Sequence, residues 1–178
     1  MRLVEYVISE VEHQWQGGES ARWELLPEAL LEIERGSALV SLFMQWREAL
    51  PAGGGLPQKS DFDPRAELEK LDWGVTHEYG VIRIKGGQGG DVSTRQTGYQ
   101  SIEDVISNPR ERAFLEYELR SVILNAAPRY HHVDQIIDGQ RSYFSRLLLP
   151  VVGPRGDVTE VVLAENHKID VALVREGL

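Results

Sequence analysis

Residues 130–166 read YHHVDQIIDGQRSYFSRLLLPVVGPRGDVTEVVLAEN, and this stretch decides the fold. Three runs rich in β-branched, aromatic and leucine residues, Tyr130–Ile137, Ser142–Val152 and Val158–Glu165, are separated by Asp138-Gly139 and by Gly153-Pro154-Arg155-Gly156-Asp157. Asp-Gly supplies the positive φ values of a two-residue hairpin turn, and the second break is rich in turn residues, so the stretch predicts an antiparallel meander. Within it, Leu147-Leu148-Leu149-Pro150-Val151-Val152 does not alternate. A strand with one wet face would alternate, so both faces of this one are expected to be covered.

Upstream residues offer the covers. Asn108-Pro109-Arg110-Glu111 has an N-cap, a first-turn proline and a first-turn acid, and Leu115, Leu119, Val122 and Ala126 follow on one stripe, with Phe114 and Tyr117 beside it. That helix is expected to end near Asn125, because Pro128 cannot continue it. Ser101-Ile102-Glu103-Asp104 has capping-box spacing and predicts a short helix. Trp73–Lys85 reads as a hairpin, since Val81–Lys85 alternates between Gly80 and the glycine run 86–90, and Asp63-Pro64 reads as the N-cap and first residue of a short helix carrying Leu68 and Leu71. Leu39, Leu42, Phe43, Trp46, Ala49 and Leu50 form a broad helical stripe behind a Ser37 cap, natural cover for the second face of the meander. Val4, Val7, Ile8, Val11 and Trp15 also fall at helical spacing, predicting a helix over 3–15 that stops at Gly17-Gly18. Trp23 to Ile33, with Pro27, is a further helical stretch. The segment Pro51-Ala52-Gly53-Gly54-Gly55 marks the boundary between a helical N-terminal extension, 1–50, and a domain at 51–172, followed by a tail at 173–178.

Composition narrows the function. The 178 residues carry 19 Lys+Arg against 28 Asp+Glu, a net charge of −9, which repels nucleic-acid backbones and anionic membranes. There is no cysteine, which removes disulfides, thiolate metal sites and cysteine nucleophiles and fits a reducing cytoplasm. Glu5, Glu10 and Glu12 interrupt the start where a secretory leader needs an apolar run, and no later run reaches the roughly 20 apolar residues of a membrane span. The expectation is a cytoplasmic chain without nucleic-acid or membrane partners.

A hairpin, helices and a three-stranded meander is the layout of the PAS domain. Leu56-Pro57 leading to Asp61-Phe62-Asp63-Pro64, then Arg83-Ile84-Lys85-Gly86, Thr97-Gly98 and Leu147-Leu148-Leu149-Pro150-Val151, resembles the PAS-like family of short, mostly alphaproteobacterial proteins. That family has an LP…DxDP entry, an R-L-x-G-T strand end, a T-G helix entry and a final LPL strand. The resemblance covers about residues 40–170 and departs at Gly87, where the family has threonine. It implies an α+β fold with a five-stranded antiparallel sheet of order 2-1-5-4-3, helices on one face and the N-terminal amphipathic helix on the other. It also implies a non-enzymatic sensor or interaction module of signal transduction, acting through a small molecule, a signalling protein, or a homodimer formed by the N-terminal helices.

Side chains with chemical potential are few. His131 and His132 are adjacent in a strand and point to opposite faces, and His132 with Asp134 makes only a two-ligand pair, so no metal site is expected. Ser142, His131 and Asp134 contain the residue types of a hydrolytic triad without its sequence markers. The glycine run 86–90 lacks the phosphate-loop pattern. No catalytic residue is assigned. A pocket between the long helix and the meander would draw on Tyr117 and Tyr143, with apolar bodies and polar tips, and on Arg83, Arg120, His131 or Arg146 for a polar or anionic group. A filled core serving a structural adaptor, and a small isomerase or hydrolase with an enclosed pocket, are the alternatives.

Overall fold

The computed structural model describes residues 6–71, 73–78, 83–85, 99–101 and 106–167. In chain order these form β1 (Val7–Trp15), β2 (Gly18–Leu25), a 3-10 turn at Pro27–Ala29, α1 (Leu30–Ile33), α2 (Ala38–Glu48), α3 (Arg65–Leu68), β3 (Trp73–Glu78), β4 (Arg83–Lys85), β5 (Tyr99–Ser101), α4 (Pro109–Asn125), β6 (Arg129–Ile137), β7 (Gln140–Val152) and β8 (Val158–Asn166). The fold is α+β. All eight strands belong to one antiparallel sheet of order β1-β2-β6-β7-β8-β3-β4-β5, a longer sheet and a longer order than the five strands expected.

The meander forms as expected. Ile137 faces Gln140 across Asp138-Gly139, both at positive φ (50° and 79°), as a two-residue turn that follows strand twist requires. Residues Leu147 to Val152 are all buried. On one side Leu148 and Val152 pack with Leu115, Leu119 and Val122 of α4 and with Val158, Val161 and Leu163 of β8. On the other, Leu147, Leu149 and Val151 pack with Leu39, Leu42, Phe43 and Trp46 of α2. Trp46 is locked there by its indole N–H, which donates to the carbonyl of Pro150 at 2.9 Å.

The helix expected over 3–15 is instead a strand over Val7–Trp15. The spacing of Val7, Val11 and Trp15 fits a helix, but Val11, His13 and Trp15 also alternate with Glu10, Glu12 and Gln14, and the strand gains a full ladder to β2. Gly17, at φ 93°, serves a hairpin turn between Trp15 and Gly18 where a helix C-cap had been expected; the same backbone conformation suits both. Residues 18–25 are likewise strand, so 1–50 is not a helical extension. Leu25 and Leu30 share one apolar cluster with Phe62, Leu68, Tyr130 and Leu147, so the core runs across the glycine segment.

Cap chemistry follows the sequence closely. Ser37 Oγ accepts from the Val40 amide, and Asn108 Oδ1 accepts from Arg110 and Glu111. Asp63 accepts from the Arg65 amide, while Pro64, not Asp63, occupies the cap position of α3. Ser101 is the last residue of β5; residues 102–105, where the short helix is expected, the glycine run 86–90, Thr97-Gly98 and the tail at 173–178 lie outside the described residues.

Candidate functional site

β2, β6, β7 and β8 place one cross-strand row at Glu24, His131, Arg146 and Glu165, and its neighbour on the same face at Arg22, Val133 and Phe144. Alternation therefore aims Arg22 and Arg146 at α4. The helix answers with Glu111 and Glu118, two turns apart on the stripe that also carries Leu115 and Val122. Each carboxylate bridges both guanidinium groups. Arg146 donates to Glu118 at 2.6 Å, to Glu111 at 2.9 Å and to Glu165 at 2.7 Å, while Arg22 donates to Glu118 at 2.9 Å and to Glu111 at 2.8 Å. Arg22 also reaches Ser20 and Gln135, and its guanidinium lies 4.2 Å over the ring of Phe114.

This box is buried: Arg146 is 2% exposed, and Arg22, Glu111, Glu118 and Glu165 are buried with it. Burial opposes the charge on Arg146, but Glu118, Glu165 and Glu111 outweigh it and hold the guanidinium charged. Burial also pushes Glu118 up; Arg146 foremost, with His131 and Arg22, reverses this and brings it to about 2. His131 sits in the same layer. Desolvation lowers its pKa despite the pull of Glu118, and its buried Nδ1 has no hydrogen-bond partner among the described residues.

The opposite face carries a second polar layer. Tyr130 Oη lies 2.7 Å from Glu34 Oε1 and 2.7 Å from His132 Nε2, and His132 Nδ1 lies 2.9 Å from Tyr143 Oη; Asn166 donates to the other oxygen of Glu34 at 2.8 Å. Desolvation, helped by His131, lowers His132 to about 3, so the imidazole is neutral at pH 7. Desolvation and the charge of Glu34 raise Tyr130, and desolvation with Asp134 and Glu34 raises Tyr143, so both phenols keep their protons. With Tyr130 donating to the Glu34 carboxylate, its oxygen accepts from His132 Nε2–H, and Nδ1 must then accept from Tyr143. One orientation of the chain, from half-buried Tyr143 to buried Glu34, satisfies every member.

Of the six residues assigned to a pocket, the five whose side chains are described do not meet in one place. Tyr117 is 69% exposed on the outer side of α4, and Arg120 is exposed and near Glu116. His131 and Arg146 lie in the α4 layer, whereas Tyr143 lies on the other face in contact with His132. Arg83 lies in β4 opposite Ser101, and its side chain is outside the described residues. His131 and His132 do face opposite sides, Asp134 is bonded to Arg141, and no group of three or more metal-ligating side chains is present among the described residues. Sequence reasoning missed Arg22, Glu111 and Glu118. The signal was the spacing 111, 115, 118, 122, in which two acids occupy positions of the apolar stripe.

No family model, curated protein or solved structure matches the chain. Among the described residues, no helix is long and apolar enough to cross a membrane.

Proposed function

We propose that this chain is a PAS-like, non-enzymatic interaction module of the cytoplasm, which acts through a protein partner and whose interior is filled by its own side chains. The observation that carries this is the occupation of both faces of β7. α2 seals one face with Leu39, Leu42, Phe43 and Trp46; α4 seals the other with Leu115, Leu119 and Val122 and with the box around Arg146. Within the larger sheet, the neighbours β4-β3-β8-β7-β6 follow one another as a PAS-like arrangement needs, which supports the fold component. The non-enzymatic component is supported by the pairing of the buried charges around α4: Arg22, Arg146, Glu111 and Glu118 are held by one another.

A thermal-shift screen of metabolites and nucleotides tests it. A filled interior predicts no saturable stabilisation. A compound binding the native state at a hundred times its Kd would add about 2.7 kcal/mol, on the order of 5–10 °C in a chain of this size. Such a shift, lost in Tyr143→Phe or Arg146→Met variants that still fold, would replace this function with a small-molecule sensor.

A further inference from the structure

β1 ends the sheet. It spans nine residues and pairs with β2 on one side only among the described residues, whereas the opposite terminal strand, β5, has three. Natural sheets blunt long edges with prolines, lysines or mixed charge, because an unpaired ladder recruits other strands. β1 has no proline or lysine, its charge is of one sign, and its one irregularity lies between Val7 and Ser9, which leaves Ser9–Trp15 a regular ladder with a free side among the described residues. It exposes Ile8 (55%) and Val11 (44%), and its only ionised side chains of fixed charge are Glu10 and Glu12, which share a face. An open cleft of about 130 Å³ lies beside Glu12, and its lining includes Gln14, Glu19, Ala21, Asp134 and Ile136 as well as His13 and Ser20. Glu12, Ala21 and Asp134 form one cross-strand row, with a small residue between two acids.

We propose that β1 is a docking edge for an extended basic segment of a partner protein, which adds to the sheet as a ninth strand with lysine or arginine opposite Glu10 and Glu12. Alternation places the partner's intervening residues on the other face, beside Val11 and His13, where α4 already supplies apolar cover through Phe114, whose ring lies 4.8 Å from that of His13. The occupant is therefore a segment alternating basic and apolar residues. A second copy of β1 fits poorly, because an antiparallel pair centred on Val11 sets Glu10 against Glu12, and like charges directly opposite repel. The net charge of −9 steers a cationic partner toward the chain. This surface rests on the interaction-module function, and it names the partner class.

Fluorescence anisotropy of a labelled nine-residue peptide alternating lysine and valine, titrated with the full chain, tests the docking edge. Saturable binding is expected, with amide exchange slowed within residues 7–15. Glu10→Gln with Glu12→Gln should weaken it by about tenfold, as two cross-strand ion pairs imply, while leaving Tm unchanged because both side chains are exposed. The same peptide N-methylated at alternate residues keeps its charge but cannot complete a ladder, and should not bind. Equal binding of the methylated peptide, indifference to the Gln substitutions, or no binding would each overturn the proposal, as would a dimer of the chain in sedimentation that protects residues 7–15 from exchange. None of these outcomes touches the filled interior, which fails only through a metabolite-induced shift.

Discussion

Acid should destabilise this protein well above the pH at which its carboxylates titrate, and His132 is the reason. Desolvation, helped by His131, holds its imidazole at about 3, against an ordinary 6.5. Above pH 6.5 the group is neutral in both folded and unfolded chains and contributes no pH dependence. Below that, the unfolded chain takes up a proton that the native core refuses, so stability is lost progressively as pH falls from 6.5 toward 3. At about 1.36 kcal/mol per pKa unit, His132 alone removes about 2 kcal/mol between pH 7 and pH 5, and roughly 5 kcal/mol over the whole range. His131, also lowered by desolvation, acts in the same direction. Urea unfolding at pH 7, 6 and 5, followed by tryptophan fluorescence, measures the loss. His132→Gln keeps an amide able to bond Tyr130 and Tyr143 but cannot titrate. It should be less stable than the parent at pH 7 and lose about 2 kcal/mol less on going to pH 5. Parallel curves for parent and variant would refute the assignment of a buried, neutral His132.

The α4 layer titrates in a separate window. Glu118 is depressed from 4.5 to about 2, so its contribution, roughly 3 kcal/mol, is present above pH 4.5 and drains away toward pH 2; Glu118→Gln should flatten the stability curve there and, because it removes the charge that pulls His131 up, make the loss below pH 6.5 steeper. Arg146→Met removes one of the two cations that Glu111 and Glu118 share, together with the arginine partner of Glu165, and should cost about 3–5 kcal/mol in denaturant unfolding, while Arg120→Met, at an exposed site, should cost within about 0.5 kcal/mol. Leu148→Ala and Leu149→Ala should each cost about 2–5 kcal/mol, since they open cavities against α4 and α2 respectively; a negligible loss at either would show that face to be uncovered. Ala126 ends α4 at φ 50°, where a Cβ is strained, and Ala126→Gly should raise stability by about 0.5–1 kcal/mol, read as a higher Tm.

Where one periodicity dominated, the sequence was legible. The meander, its Asp138-Gly139 turn, the caps at Ser37 and Asn108 and the double cover of Leu147–Val152 each depend on residues within a few positions of one another. Residues 7–15 satisfied two periods at once, and the choice between them lay in the ladder to β2, itself paired with the distant β6, which no local pattern displays. The polar layers were hidden for a related reason. Glu118 looks like one more solvated acid of an acidic helix until the pairing of β2, β6 and β7 brings Arg22 and Arg146 beneath it. Of the pocket residues, Tyr117 and Arg120 were chosen by type, but their places on α4 turn them to solvent.

The misread ribbon and the missed charges are one problem. Arg22 belongs to β2, and β2 exists as a strand because the β1–β2 hairpin pairs with β6. A helical 3–15 would leave β2 an edge strand held by β6 alone, and a chain in which β2 were also lost would lose Arg22 from the layer. Glu111 and Glu118 would then face Arg146 with one guanidinium fewer, three carboxylates against a single cation in a layer that excludes water. An uncompensated buried charge costs several kcal/mol, more than the tenths of a kcal/mol per residue by which helix and strand propensities differ. The N-terminal ribbon is thus held as strand partly by charges nearly a hundred residues away. By the same argument, docking at β1 would bear on Arg22, which pairs with Val11 across the ladder, so occupation of the edge is expected to stabilise the α4 layer as well as the ribbon.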